Sequence, residues 1–575
     1  MMILKLVLNS GFLVLLLASL VRGRQIYRHY SAWRLVDRLI MAAFPVCIVF
    51  LVAIGLKEVL DSPFHAWETI RLLPSFLIAR GFPHYYPPDQ GPVLDMMYGP
   101  MTAVAYYPVT IFNHATYATM LGKLLTFSYY FLPVAWVVYC FRDRDRRVSA
   151  FAWLCFIGFV LYSHERDVLF GSGFTNHADA PALGLSALAC IFLLARRSPR
   201  DHRAMALSAA CTVLAVWTKQ VTLPLLVAMP IYLACADGFV GAGWYAGYLV
   251  IIGTGVTLLF GHLFGFDKLW FNLITNPVHQ PWEREWIKIQ GHAIVELMEE
   301  CRWIAFMMVF SGIYLYRAEK SRPRRFPAWW IEQPSSLFVW VGIAMIPTAL
   351  VGRMKVGGGL NALSFSVYFL VIAVIVQLID LVKRPVPSLG GQLTTTFSKA
   401  LVLFLVVSSL LEHAPVLTYY YFRLTHNIIS LRTNPLREAN HLVRSHPDEV
   451  YLPWNVLSSF LAEGKLYHFD YAIIDRDLSG FSVSPEHFRA NLPAKMRWVA
   501  FPPNSQDQYV MRYLPEFTKR VELQELSPGW TVFTRDDSST RTFERSAADP
   551  WTPSAEDISK FGYLKRPQTE GASPL

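Results

Sequence analysis

Apolar residues in this chain come in long blocks rather than in strict alternation. Blocks lie near residues 3–20, 39–57, 118–140, 149–163, 179–195, 204–218, 221–236, 242–264, 302–316, 335–351, 362–382 and 398–416. A run of roughly 17–25 apolar residues is what an α-helix needs to cross a bilayer. The pattern therefore predicts a polytopic all-α membrane protein with about 12 transmembrane helices. Past Glu412 the pattern changes. Short runs, VYLPW (450–454), YAIID (471–475), RWVAF (497–501) and WTVFTR (530–535), alternate with amphipathic stretches such as SPEHFRANL, and predict a small α/β domain. The divisions that follow are an extra N-terminal helix with a basic loop (1–38), a transmembrane domain (39–416), an α/β domain (417–536) and a disordered tail (537–575). Within the second, residues 58–117 form a first loop, and its part from Glu58 to Tyr98 is acidic and aromatic.

Composition agrees: 54% of the 575 residues are hydrophobic and 16% are charged, against about 25% charged in soluble proteins. The net charge of +10 does not indicate nucleic-acid binding, because the basic residues gather in short stretches between apolar blocks. RGRQIYRHYSAWRLVDR, RDRDRR, RRSPRDHR, RAEKSRPRR and VKRP all fall on one side if 100–114 does not span, and that side is read as cytoplasmic. Segment 100–114 is short and contains Pro108, which suits an interfacial or re-entrant piece. The 3–20 run is followed by Arg22, Arg24 and Arg28 rather than by a small-residue cleavage site, and is read as an uncleaved helix. The seven cysteines show no CxxC or Cys/His cluster, so neither a disulfide framework nor a zinc site is indicated.

The extracytoplasmic side then receives the 58–98 loop, residues 163–179, 266–292 and 352–361, and the C-terminal domain. A carboxylate at the membrane boundary is costly unless it serves something. Asp61 follows the second apolar block directly and Glu58 lies one turn earlier; either suits a general base. Glu58, Glu68, Asp89 and Asp95 taken singly read as solvated acids. His177 and Asp179 open a helix before Pro181, where the aspartate also suits an N-cap. Lys219 and Gln220 sit at a helix end, where a lysine either snorkels or serves as a point charge for phosphate. In GRMKVGGGLN, Arg353 and Lys355 precede three glycines and Asn361; glycines let backbone amides approach an anion, and a flexible turn is the plainer reading. Acids early and cations late suit a lipid-linked phosphate sugar meeting an acceptor.

Four patterns, LDSPFHAWETIRLLPSFLIARGFPHYYPP…YGP, NHADAPALGLSALA, the helix-end TKQ and KVGGGLN, together resemble the GT-C glycosyltransferase superfamily, in its bacterial protein-mannosyltransferase and aminoarabinose-transferase branch. The resemblance covers most of residues 39–535. It implies a membrane enzyme that transfers a sugar, with inversion, from a polyprenyl-phosphate donor to an envelope acceptor on the outer face of the cytoplasmic membrane. It places Asp61 at the catalytic acid position and Asp179 at the second acidic position. It places Lys219, Arg353 and Lys355 near the donor phosphate. His65, Tyr85, Tyr86, His177, Gln220 and Asn361 complete the set as substrate-binding candidates. Ser62 stands where a second acid is usual, so the base is left open among Asp61, Glu58 and Glu68. Some relatives use a divalent cation and others do not, which leaves the cofactor undefined.

Two other classes compete. A flippase or transporter for a lipid-linked saccharide would show inverted repeats and helices broken near the midplane; no such pairing is evident, and the polar residues gather toward one face. A non-catalytic relative in envelope assembly is the other, kept open by Ser62.

Overall fold

The computed structural model describes residues 30–60, 66–94, 96–198, 200–282, 286–318, 326–384, 389–422, 434–503 and 509–535. The expected 3–20 helix, the 537–575 tail, Asp61, His65 and Asp95 lie outside them.

Among the described residues, eight helices are long and apolar enough to cross a membrane: Leu35–Leu60, Ala115–Phe141, Arg146–Glu165, Gln220–Asp237, Phe239–Phe264, Pro334–Met354, Leu360–Lys383 and Thr394–Pro415. A ninth arises if Asp167–Phe174 and Asp179–Leu194, bent by 93° at their junction, count as one broken span. About twelve were expected. Of the other three, 3–20 is undescribed, 204–218 belongs to the 15-residue helix His202–Val216, and 302–316 lies inside the longer helix Trp286–Ala318. Segment 100–114 forms a six-residue helix, Pro100–Ala105, and a 3₁₀ turn, Tyr107–Ile111, too short to cross.

The helix starts follow local chemistry. His114 accepts from the Thr116 amide, Asp145 from Arg147 and Asp201 from Ala204, each satisfying a first-turn N–H that has no intrahelical partner. Leu360–Lys383 is almost wholly buried and lies at the centre of the bundle. Its Tyr368, Phe369 and Ile372 are inaccessible to solvent.

Residues 434–535 form a small α/β unit. Its sheet runs β1 (Val450–Tyr451), β2 (Trp498–Phe501), β4 (Thr531–Thr534) and β3 (Lys519–Val521). β1 is parallel to β2, and β4 is antiparallel to both β2 and β3. Three of the four expected strand segments are present. The fourth, YAIID, lies in helix Asp470–Leu478, where Ala472, Ile473 and Ile474 are buried together. The unforeseen strand β3 carries Lys519 and Arg520 with their side chains exposed, so it lacks an apolar signal.

This domain and the 66–99 stretch share one core. Ile70, Leu73, Phe76 and Tyr85 pack with Leu436, Val450, Phe460 and Phe488. The stretch is not one long loop, since it begins with helix Ala66–Ala79. Its remainder is fastened to the domain strand-fashion: the Val93 amide donates to His468 Nδ1 (3.0 Å) and the Val93 carbonyl accepts from the Phe469 amide (2.9 Å). His487 Nε2 donates to the Gly91 carbonyl (2.7 Å), and Arg476 to that of Pro88 (3.1 Å).

Candidate functional site

Tyr98-Gly99-Pro100 brings the first loop against the bundle. The Gly99 amide donates to the Thr218 carbonyl (3.2 Å) and the Met101 amide to the Trp217 carbonyl (3.3 Å). A Cβ on Gly99 would overlap the Trp217 carbonyl oxygen, so only glycine permits this approach. Pro100 then starts the next helix, where its missing N–H costs nothing. The result sets the Tyr98 ring beside Lys219, whose Nζ lies 5.2 Å from the ring centroid. Gln220 locks the junction by donating to the Met97 carbonyl (2.9 Å) and the Leu273 carbonyl (3.2 Å).

Asp179 is the hub. It is fully buried, and its carboxylate accepts from Lys219 Nζ, from Ser172 Oγ (2.9 Å) and from Asn361 Nδ2 (2.6 Å). His177 Nδ1 lies 2.9 Å from the same oxygen that Lys219 engages. Two groups thus lie near each carboxylate oxygen, Lys219 and His177 at one and Ser172 and Asn361 at the other. With the His177 proton on Nδ1 toward Asp179, Nε2 is left to accept from the Tyr98 hydroxyl, 3.3 Å away. Asp179 is also the first residue of its helix, where negative charge is favoured. Four segments distant in sequence thus meet at one point: Tyr98, His177 with Asp179, Lys219 and Asn361.

The other sequence candidates lie around this point or away from it. Glu68 is buried, 3.5 Å from Lys123 Nζ, and accepts from the Asn176 amide (3.3 Å), so it ties helix Ala66–Ala79 to the break that carries His177. Glu58 is buried in a separate cluster, bonded to His164 Nε2 (3.0 Å) and Lys57 Nζ (2.8 Å); His164 in turn contacts His413 (2.8 Å). Tyr85 is buried and donates to the Tyr98 carbonyl (2.7 Å), which orients the key tyrosine. Tyr86 is half-buried, its carbonyl accepting from Asn272 (3.0 Å).

Arg353 and Lys355 are not brought to Asp179. Arg353 pairs with Glu296 through two nitrogens (3.1 and 3.2 Å) and donates to the Gly358 carbonyl (3.1 Å). Lys355 donates to the carbonyls of Pro277, Val278 and Gln280 at 2.8–3.0 Å. An ammonium has three protons, and these three carbonyls at the end of helix Asn276–His279 take them. Desolvation there pulls the Lys355 pKa below its ordinary value. The glycine run folds back on this pair, with Gly357 at φ +79°, and delivers Asn361 to Asp179.

Three residues were not among the sequence candidates. Lys123 is buried inside an apolar span and donates to the Glu58 carbonyl (3.0 Å); a lone charge in such a run was the available signal. Arg71 stacks on Tyr98 (4.4 Å) and Trp67 (4.8 Å). Tyr98 itself sits in the YGP pattern but was not singled out. Among the described residues, no group of three or more His, Cys, Asp or Glu side chains is placed to hold a metal ion.

The fold and site define a multi-pass helical membrane protein with a buried charged cluster where its first loop, a broken helix and a small α/β domain converge. Among solved structures, the chain is similar to ArnT from Cupriavidus metallidurans bound to undecaprenyl phosphate: 12% identity, TM-score 0.45, covering 85% of this chain and 98% of that one. At that level the likeness assigns neither residues nor a ligand. No family model and no curated protein matches the chain.

Proposed function

We propose that the protein is a GT-C-type glycosyltransferase. It moves a sugar from a polyprenyl-phosphate donor to an envelope acceptor on the outer face of the cytoplasmic membrane, where the C-terminal domain also lies. The carrying observation is the convergence of the four motif segments on Asp179: Tyr98, His177, Lys219 and Asn361 surround one buried carboxylate.

In the proposed reaction a hydroxyl or amine of the acceptor attacks the anomeric carbon. The carbon–oxygen bond to phosphate breaks, polyprenyl phosphate leaves with the bonding electrons, and a carboxylate takes the acceptor proton. Asp61 is the base in this scheme. Glu58 and Glu68 are each held by cationic or imidazole partners, and Asp179 is engaged by Lys219, Ser172 and Asn361. Asp179 is a positioning residue: it holds Lys219 and His177 against Tyr98.

The test is mass spectrometry of envelope glycans and lipid-linked sugars in a deletion strain. Loss of one sugar from one glycan, with its polyprenyl-phosphate donor accumulating, is the expected result and names both substrates. An unchanged glycan profile with no lipid donor accumulating would overturn the proposal.

A further inference from the structure

One buried charge plays no part in the proposed reaction. Lys123 lies within the apolar span Ala115–Phe141, its side chain 2% exposed. A lysine inside such a span is costly and is kept where it serves something. Its Nζ donates to the Glu58 carbonyl (3.0 Å) and lies 3.5 Å from the Glu68 carboxylate. These partners are the end of one helix and the start of the next. Glu58 is in the last turn of helix Tyr30–Leu60, where carbonyls have no intrahelical donor, and Glu68 is in the first turn of helix Ala66–Ala79. A cation suits the first place and an anion the second. In sequence, Asp61 lies between the two, so one ammonium ties both ends of the connection that carries it.

The same helix face holds the break at His177 and Asp179. Thr119, Gly122 and Lys123 are three and four residues apart, which places them on one side of their helix. The Asn176 side-chain amide donates to the Thr119 carbonyl (3.1 Å), and the Asn176 backbone amide donates to Glu68 (3.3 Å). Gly122 makes the approach possible, since a Cβ there would come within 2.6 Å of Asn176 Oδ1. Thr119, Lys123, Glu68 and Asn176 thus close a ring, and all four are buried. The ring joins the two flanks of Asp61 to the residue directly before His177.

We infer that Lys123 is a positioning residue for sugar transfer, holding the connection that carries Asp61 in register with the His177–Asp179 break. This rests on the glycosyltransferase reading above and adds what aligns its base with the buried cluster. Lys123 acts through the Glu58 carbonyl and the Glu68 carboxylate, not on the substrate.

The experiment follows release of polyprenyl phosphate by the purified full chain in liposomes. The donor is the lipid-linked sugar fraction of the deletion strain, and the acceptor is an envelope extract. Lys123→Met is expected to lower the rate at saturating donor about a hundredfold, with the half-saturating donor concentration close to that of the unsubstituted protein. Lys123→Arg recovers part of the rate. Lys123→Met also leaves the Glu68 carboxylate without this counter-charge and lowers stability. The double variant, Lys123→Met with Glu68→Gln, separates the two effects: its unfolding midpoint in detergent recovers while transfer stays low. Lys399→Met is the control. It breaks a pair with Asp37 (2.7 Å) toward the other end of helix Tyr30–Leu60, and is expected to lower stability without lowering the transfer rate. A rate that recovers with stability in the double variant, or that falls equally in Lys399→Met, overturns the inference and leaves the enzyme assignment standing. If the unsubstituted protein releases no polyprenyl phosphate, the enzyme reading fails and the inference fails with it.

Discussion

Asp179 and His84 are both buried close to Tyr98, and their neighbours have treated them differently. Asp179 is surrounded by Lys219, His177, Ser172 and Asn361. His84 is nearly as buried, packed between Tyr85 and Phe264, yet its Nδ1 has no hydrogen-bond partner. Burial alone therefore does not distinguish architecture from a binding surface. What distinguishes them is whether the polar capacity of the buried group has been used within the chain. By that measure the Asp179 cluster is a scaffold that ties the start of helix Asp179–Leu194 to Ser172, Lys219 and Asn361.

The strongest way to break this contrast is to remove Asp179. Asp179→Ala leaves the Lys219 ammonium buried without its counter-charge, which costs about 3–5 kcal/mol. The expected result is a large fall in the thermal unfolding midpoint in detergent. Replacing both partners, Asp179→Leu with Lys219→Met, recovers much of it, because an apolar pair leaves no stranded charge. A single substitution with an unchanged midpoint would contradict the scaffold role.

A smaller effect is expected from acid. His468 accepts from the Val93 amide at Nδ1 and donates to the Phe488 carbonyl at Nε2 (3.1 Å). That arrangement needs the neutral ring, and burial lowers its pKa from about 6.5 to about 3. Above about pH 6.5 the folded and unfolded forms are both neutral, and the group adds no pH dependence. As pH falls below that, the unfolded chain takes up a proton that the folded chain refuses, so stability declines toward pH 3. His84 contributes with the same sign. Unfolding midpoints of His468→Gln between pH 4 and 7 should fall less steeply than those of the unsubstituted protein; equal slopes would contradict this.

The smallest effect concerns Lys355. Lys355→Met removes the donor to three carbonyls and should cost about 1–2 kcal/mol of stability. An unchanged unfolding midpoint in detergent would contradict this anchoring role.

The membrane spans were legible because twenty-odd apolar residues have few other uses, and Leu360–Lys383 and Phe239–Phe264 stand out in any reading. That Asp179 opens a helix was legible too, from its place two residues before Pro181. The pairing was not. Whether Lys219 meets a phosphate or Asp179 depends on a 93° bend that no local pattern encodes. Likewise GRMKVGGGLN reads as an anion cradle until the Asn276–His279 helix end is found to claim Lys355. Helix Asp470–Leu478 was read as a strand because five residues of YAIID fit either period. Arg71 was hidden for a related reason: its helix lies in a stretch whose aromatics and prolines look like loop.

The most direct test of the central claim uses the purified chain in liposomes with polyprenyl-phosphate sugars and an envelope acceptor extract, following free polyprenyl phosphate by mass spectrometry. The account predicts its release by the unsubstituted protein and none by Asp61→Asn, with the variant's unfolding midpoint unchanged. Movement of intact lipid-linked sugar across the bilayer, with no sugar–phosphate bond broken, would contradict it.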